Sequence, residues 1–125
     1  MTQEEKYLVL RDLFPRVPYA VKCQFDLSVS GNKVYKTIVF DNELDDLHVY
    51  WIKEGLIKPY LRPMSSMTEE EEARYNLIQG MGHWTIDDGK LSDYADAIDW
   101  LNEHHFDYRR LIEKGLALEA PKDMY

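Results

Sequence analysis

The chain has 125 residues, 13% of them aromatic, and a formal net charge of −8. This length predicts a single domain over residues 1–125 with one modest core, and the aromatic content argues against global disorder. No apolar run approaches the roughly 18 residues that span a bilayer, and the charged N-terminus does not resemble a signal peptide. The single cysteine, Cys23, excludes an intramolecular disulfide and a thiolate zinc cluster. We therefore expect a cytoplasmic protein.

The excess of acid is confined to the second half of the chain. Residues 1–63 balance nine basic with nine acidic residues, whereas residues 64–125 have six basic and fourteen acidic residues. That half would repel a phosphate backbone, so direct nucleic-acid binding is disfavoured. A basic protein partner and mimicry of nucleic acid both remain open, as does the simpler interpretation that the charge keeps a small protein soluble.

The first predicted elements are a helix and a strand. Hydrophobic residues near helical spacing, followed by Pro15, predict a helix at Gln3–Leu13. From Val21 to Val29 apolar and polar residues alternate strictly, which is typical of a strand with one buried face. Cys23 lies on the buried side of that alternation, so we expect an inert core thiol.

Two further strands and a connector are predicted next. Ser30–Asn32 predicts a turn, and Lys33–Phe40 is rich enough in β-branched and aromatic residues to return as a second strand. The acidic segment Asp41–Asp46 predicts another turn before a third strand at Leu47–Ile52. The two prolines of Lys58–Pro63 predict an extended connector.

The second half predicts mainly helix. Two overlapping capping boxes, Ser66 with Glu69 and Thr68 with Glu71, predict a helix that begins among four consecutive glutamates. We expect that helix to end at Gly80 or Gly82, then a short strand at His83–Ile86, a turn at Asp87–Gly89 and a helix capped by Ser92.

These elements together predict an α+β fold. We expect a small antiparallel sheet of three to four strands within residues 20–57. It would pack against the N-terminal helix and against a helical, acidic half at residues 64–121.

The helix after Ser92 has an apolar and an acidic side. Asp96, Asp99 and Glu103 lie opposite the apolar side as an acidic stripe, and Trp100 projects away from the apolar side. Trp100 either packs against the following helix or is an exposed interface anchor. We take Asp96, Asp99, Trp100 and Glu103 as the candidate partner-binding surface. The predicted apolar side comprises Leu91, Tyr94, Ala95, Ile98, Leu101 and His105.

Two adjacent histidines raise the question of a metal site. Neighbouring helical residues point about 100° apart, so His104 and His105 do not naturally chelate one ion. A divalent site with His83 and Asp107 would require tertiary folding to bring the groups together. A metal-dependent hydrolase built on these four residues is therefore a minor alternative.

The same segment also has a purely structural interpretation. The two histidines occupy a last helical turn, where a partly protonated imidazole meets the negative helix end. Asp107 is then the N-cap of a further helix at Tyr108–Lys114, and Gly115 is its left-handed stop. No phosphate-cradling loop or nucleophile elbow is present in the sequence, so we predict neither enzymatic activity nor a cofactor.

Three segments resemble those of a known group of proteins. Met1–Leu13, Lys58–Glu71 and Asp99–Pro121 resemble small hypothetical proteins of gut Bacteroides genomes and their phages and prophages. That group commonly has glycine where this chain has Arg110. The resemblance implies a cytoplasmic protein of a bacterium or phage and supplies no catalytic residues.

We therefore expect a non-enzymatic protein-binding accessory module that acts on a host or phage protein, possibly a basic one, through its acidic helix. It would bind neither nucleic acid directly nor a membrane, and a homo-oligomer remains open. The alternative is a nucleic-acid mimic that inhibits a host defence enzyme or another enzyme that binds DNA or RNA.

Overall fold

A four-stranded sheet with α-helices packed on it forms the described part of the chain, so the predicted α+β class is confirmed. The structure is a computed structural model that describes the backbone of residues 1–80 and 88–125 and the side chains of residues 1–79 and 94–125. The helices are α1 (Gln3–Leu13), α2 (Asp46–Lys53), α3 (Glu69–Gly80) and α4 (Asp88–Glu103). The strands are β1 (Val21–Asp26), β2 (Tyr35–Phe40), β3 (Ile57–Leu61) and β4 (Leu118–Glu119).

The sheet is mixed, whereas we expected an antiparallel one. Its strand order is β2-β1-β3-β4, and β1 pairs antiparallel with both β2 and β3. The short β4 runs parallel to β3, because the chain crosses back through α3 and α4 before it reaches the sheet again.

Strand β1 follows the predicted alternation only as far as Asp26, because Leu27 and Val29, which were predicted on the buried side, are 44% and 68% exposed. Val21, Cys23 and Phe25 are buried, and burial raises the pKa of the Cys23 thiol. The strand ends at Asp26 because the Asp26 carboxylate accepts a hydrogen bond from the Ser28 backbone N–H, which draws the backbone away from a regular ladder. The hairpin turns where predicted, through Ser30 and Gly31 with φ of 50° and 85°.

The predicted third strand at Leu47–Ile52 is wrong, because this segment is helix α2. The Asp45 side chain accepts from the His48 backbone N–H at 2.8 Å, and the His48 ring reaches back to the Asp45 N–H at 3.3 Å. This reciprocal cap starts the helix, and a short apolar run is compatible with either structure. Ile52 is fully buried on the sheet side of α2.

The predicted connector Lys58–Pro63 is extended, but its first part belongs to β3 at an interior position of the sheet. The hydrogen bond from Asp26 N–H to Leu56 O fixes which residue pairs of β1 and β3 are hydrogen-bonded. Pro59 and Cys23 form a non-hydrogen-bonded pair, so proline is tolerated there. In that pair the position of the missing N–H points away from β1. Pairing with β4 begins only at Tyr60, so no ladder hydrogen bond is lost.

The start of α3 agrees with the second of the two capping boxes. Thr68 accepts from the Glu71 N–H at 3.2 Å, and Glu71 accepts from the Thr68 N–H at 3.0 Å, whereas Ser66 donates to Pro63 O instead. Gly80 is the last residue of this helix that the structure describes. α4 already begins at Asp88, so the predicted Asp88–Gly89 turn and the Ser92 cap are wrong. Gly82, the predicted strand His83–Ile86 and Asp87 lie outside the described residues.

The predicted helix at Tyr108–Lys114 is absent, and tight turns replace it. Arg110 adopts a left-handed φ of 60°, which a helix does not accept. Asp107 nevertheless behaves as a cap, because its carboxylate accepts from the backbone N–H groups of Leu111 at 2.8 Å and Ile112 at 3.0 Å.

The predicted stop at Gly115 is confirmed, although it ends a turn. Gly115 has a φ of 73°, and its N–H donates to Ile112 O while the Leu116 N–H donates to Leu111 O. These two bonds are the Schellman pair, and they place Leu111 and Leu116 in the core. Among the described residues, no helix has the length and hydropathy required to cross a membrane.

Candidate functional site

Three exposed carboxylates on α4 form what we name the α4 acidic row: Asp96, Asp99 and Glu103. Their spacing of three and four residues places them on one side of the helix. Within residues 1–79 and 94–125, no Lys, Arg or His forms an ion pair with any of them. The row is therefore available to a partner.

The buried side of α4 is rotated relative to the predicted one. Ala97, Leu101 and Asn102 are buried, whereas Tyr94 and Ile98 are 49% and 41% exposed. Ala95 is exposed as well, while Leu101 and His105 are buried as predicted and the side chain of Leu91 lies outside the described residues. The rotation brings the side of α4 that carries Trp100 toward α3.

Trp100 is half-buried in a group of aromatic rings. Its ring stacks on Tyr75 of α3 at 5.9 Å and on Phe106 at 5.7 Å, and the His104 ring lies at 4.4 Å. It packs against α3 and not against a following helix, because that helix is absent. The Trp100 ring is thus held in place by its neighbours beside the acidic row, and part of its side chain is accessible to a partner.

His105 is a buried neutral side chain and not a free ligand. Its Nε2–H donates to Tyr19 O at 2.9 Å, and its ring stacks on Tyr125 at 4.0 Å. Burial, helped by the nearby Arg16 charge, lowers the His105 pKa to about 4. The prediction that a partly protonated His105 interacts favourably with the negative end of α4 is therefore wrong at neutral pH.

The structure does not assemble the histidine and aspartate set of the metal hypothesis. His105 and Asp107 are engaged with backbone groups, His104 packs on Trp100, and His83 lies outside the described residues. Across residues 1–79 and 94–125, no three His, Cys, Asp or Glu side chains are arranged to hold a metal ion.

A buried ion pair next to this segment was missed by the sequence reasoning. Arg16, fully buried, donates from Nε and Nη2 to the Asp12 carboxylate at 3.0 and 3.1 Å. Its Nη2 also donates to Phe106 O at 2.6 Å, and Arg109 Nε lies 3.6 Å from Asp12. Burial raises the Asp12 pKa although Arg16 opposes the shift.

We name Asp12, Arg16, His105 and Asp107 the buried polar junction. Its four side chains bond to one another or to backbone groups, and so they join α1, the segment that follows it and the chain after α4. The sequence contained one signal for the buried ion pair. Asp12 and Arg16 are four residues apart, and the apolar residues Leu10, Leu13 and Val17 lie next to them in sequence. That spacing is equally typical of an exposed helix pair.

A second ion pair lies between two clefts. Arg62 makes a bidentate contact with Glu71 at 2.6 and 2.8 Å, and its guanidinium covers the Phe106 ring at 4.2 Å. The Glu71 pKa is lowered to about 2, and the hydrogen bond from Arg62 contributes most to this shift. Both clefts, of about 510 Å³ each, have Arg62, Glu71 and Tyr125 in their walls. Because each charge is satisfied by the other, the pair is not set up for acid–base chemistry.

The position of the acidic row within α4 is unfavourable for the helix. Glu103 lies in the last turn of α4, where the helix dipole disfavours negative charge by about 0.3–1 kcal/mol, and Asp99 lies just before that turn, where the effect is smaller. The last turn of α4 has no basic residue, and His105 beyond it is neutral.

Comparisons with protein families, with curated proteins and with solved structures found no match to this chain.

Proposed function

We propose that this chain is a non-enzymatic protein-binding module that engages a basic partner through the α4 acidic row and the accessible part of Trp100. In keeping with the sequence resemblance, the partner would be a bacterial or phage protein in the cytoplasm of the host cell. His105 and Asp107 are bonded to backbone groups and contribute to the fold, whereas the carboxylates of the acidic row are exposed and form no ion pair with a described residue.

The unfavourable position of the row supports this proposal most directly. A charge that only keeps the protein soluble is equally effective anywhere on the surface. Glu103 instead opposes the dipole of α4 in its last turn, and neither Asp99 nor Glu103 forms an ion pair with a described residue. Functional surfaces commonly retain groups that reduce stability.

The surroundings of Trp100 give the row the chemistry of a binding centre. A Lys or Arg of the partner would meet a carboxylate and an aromatic ring together, and both attract a cation. The ring stack with Tyr75 and Phe106 holds the indole in place, so little side-chain entropy is lost on binding.

The test is quantitative capture from Bacteroides lysate with two triple variants. One variant reverses the row with Asp96→Lys, Asp99→Lys and Glu103→Lys. The matched control makes the same change in charge at the exposed Glu43, Glu54 and Glu113. We expect a partner that is retained by the wild type and the control and lost by the row variant. Equal retention by both variants, or no partner for the wild type, would refute the proposal.

Nucleic-acid mimicry is a second candidate, because α3 adds exposed carboxylates at Glu69, Glu70 and Glu72 next to α4. It requires the captured partner to be a DNA- or RNA-binding enzyme. Duplex DNA should then displace this protein, and inhibition should weaken steeply with salt. A partner that DNA does not displace would exclude mimicry and leave the first candidate intact.

A further inference from the structure

Strand β2 is the edge strand of the sheet formed by the described residues, and one side of its backbone pairs with none of them. The Leu27 N–H donates to Val34 O, and Val29 exchanges two hydrogen bonds with Asn32, which sets the alternation of the hairpin. Lys36, Ile38 and Phe40 then direct their backbone groups toward β1. The N–H and C=O groups of three residues point outward: Tyr35, Thr37 and Val39.

This edge has little of the usual protection against pairing with another strand. The register with β1 is continuous from Tyr35 to Phe40, so the strand has no bulge, and it has no proline. Tyr35 and Val39 are 50% and 48% exposed. The edge is thus a regular, accessible strand whose exposed side chains include Tyr35, Val39 and one charged residue, Lys36.

The charges that flank β2 favour a second copy of the same chain. Lys33 precedes the strand and Asp41 follows it; both are exposed, and neither forms an ion pair with a described residue. In an antiparallel pair about Thr37, Lys33 lies opposite Asp41 of the second copy. Tyr35 lies opposite Val39, an aromatic and β-branched pair that stabilises sheets. A parallel arrangement would place like charges together.

The side chains on the inner face fit the same arrangement. Ile38 and Phe40 line an apolar groove of about 390 Å³ that also includes Phe25 and Trp51. The antiparallel pair places Val34 of the second copy, 49% exposed in the monomer, beside Phe40 at this groove. The second copy therefore covers apolar surface as well as the open backbone groups.

We propose that the chain forms a two-fold homodimer in which β2 pairs antiparallel with β2 of a second copy about Thr37. The two sheets become one continuous sheet, and each of the three outward residues gains backbone hydrogen bonds. This interface is separate from the α4 acidic row, so either proposal can fail without the other.

Sedimentation velocity over a wide concentration range tests the dimer. Thr37→Pro removes an outward N–H that the monomer does not use, and proline is tolerated at such edge positions. Thr37→Ala keeps the N–H and is the matched control. We expect the wild type and Thr37→Ala to dimerise with rising concentration and Thr37→Pro to stay monomeric with an unchanged circular dichroism spectrum.

A charge exchange tests the register and keeps the proposal testable if Thr37→Pro fails to fold. Lys33→Glu alone and Asp41→Lys alone should each weaken dimerisation by about tenfold, because like charges then oppose each other. The double variant in one chain restores opposite charges and should recover the wild-type dimer. A monomeric wild type, a dimer that persists in folded Thr37→Pro, or a double variant without recovery would overturn the proposal.

Discussion

Two members of the buried polar junction, His105 and Asp107, closely follow the α4 acidic row in sequence, but the charges of the junction and of the row are in opposite situations. In the junction every carboxylate is bonded to a guanidinium or to backbone N–H groups, and burial shifts the pKa values of Asp12 and His105. In the row the carboxylates are exposed and form no ion pair with a described residue, and Glu103 opposes the helix dipole.

The difference separates structure from function in this region. A buried charge is retained only if its partner is retained, so the junction constrains the fold. An exposed charge in an unfavourable position is dispensable for the fold and therefore open to selection by a partner. Changes in the junction should affect stability, whereas changes in the row should affect binding.

Removal of the central cation of the junction should have the largest effect. Arg16→Ala leaves Asp12 buried with only the more distant Arg109, and we expect a loss of about 3–5 kcal/mol in the free energy of unfolding. Urea denaturation at pH 7 measures it, with exposed Arg11→Ala as control. A loss below about 1 kcal/mol would show that the junction is not structural.

His105 should make stability depend on pH. Its pKa is about 4 in the folded chain and near the ordinary 6.5 in the unfolded chain, so the unfolded state binds more protons between these values. The stabilisation is present above pH 6.5 and is lost as pH falls toward 4, by about 2–3 kcal/mol. His105→Gln should lack this loss and His104→Gln should retain it; identical pH profiles for the two would exclude this role for His105.

The ion pair between the clefts should contribute less, because it is partly exposed. Glu71→Gln keeps a capping side chain for Thr68 but removes the charge opposite Arg62, so the change isolates the ion pair. We expect a loss of about 1 kcal/mol, measured by urea denaturation. Exposed Glu72→Gln is the control, and an equal effect of the two would assign the loss to the helix start.

A change of backbone conformation should have the smallest effect. Arg110 is exposed with a φ of 60°, and glycine adopts this conformation without strain. We expect Arg110→Gly to raise the free energy of unfolding by about 0.5 kcal/mol. Glu113 has no positive φ, so Glu113→Gly is the control and should lower the free energy of unfolding. A loss for Arg110→Gly would show that the arginine side chain contributes to the fold.

Local patterns predicted the parts of the fold that depend on neighbouring residues. The alternation around Cys23, the cap of Thr68 by Glu71 and the stop at Gly115 all involve residues a few positions apart, and all three are present. The segment Leu47–Ile52 was mistaken for a strand although Asp45 and His48 carried the signal of a helix cap.

Tertiary contacts decided the remainder, and local sequence patterns are ambiguous or silent about them. Arg16 is buried because Phe106, distant in sequence, supplies a carbonyl acceptor. His105 is neutral because burial, helped by the charge of the distant residue Arg16, lowers its pKa. The acidic row, by contrast, followed directly from helical spacing, since exposed charges need no partner to be recognised.

The central claim is that the α4 acidic row serves a partner and not the fold, and the free energy of unfolding of the Asp96→Lys, Asp99→Lys, Glu103→Lys variant tests it most directly. We predict that urea denaturation at pH 7 gives a value equal to that of the wild type or higher by up to about 1 kcal/mol, because lysines suit the C-terminal end of a helix. A loss of about 2 kcal/mol or more would show that the row stabilises the fold and would contradict its assignment to a partner.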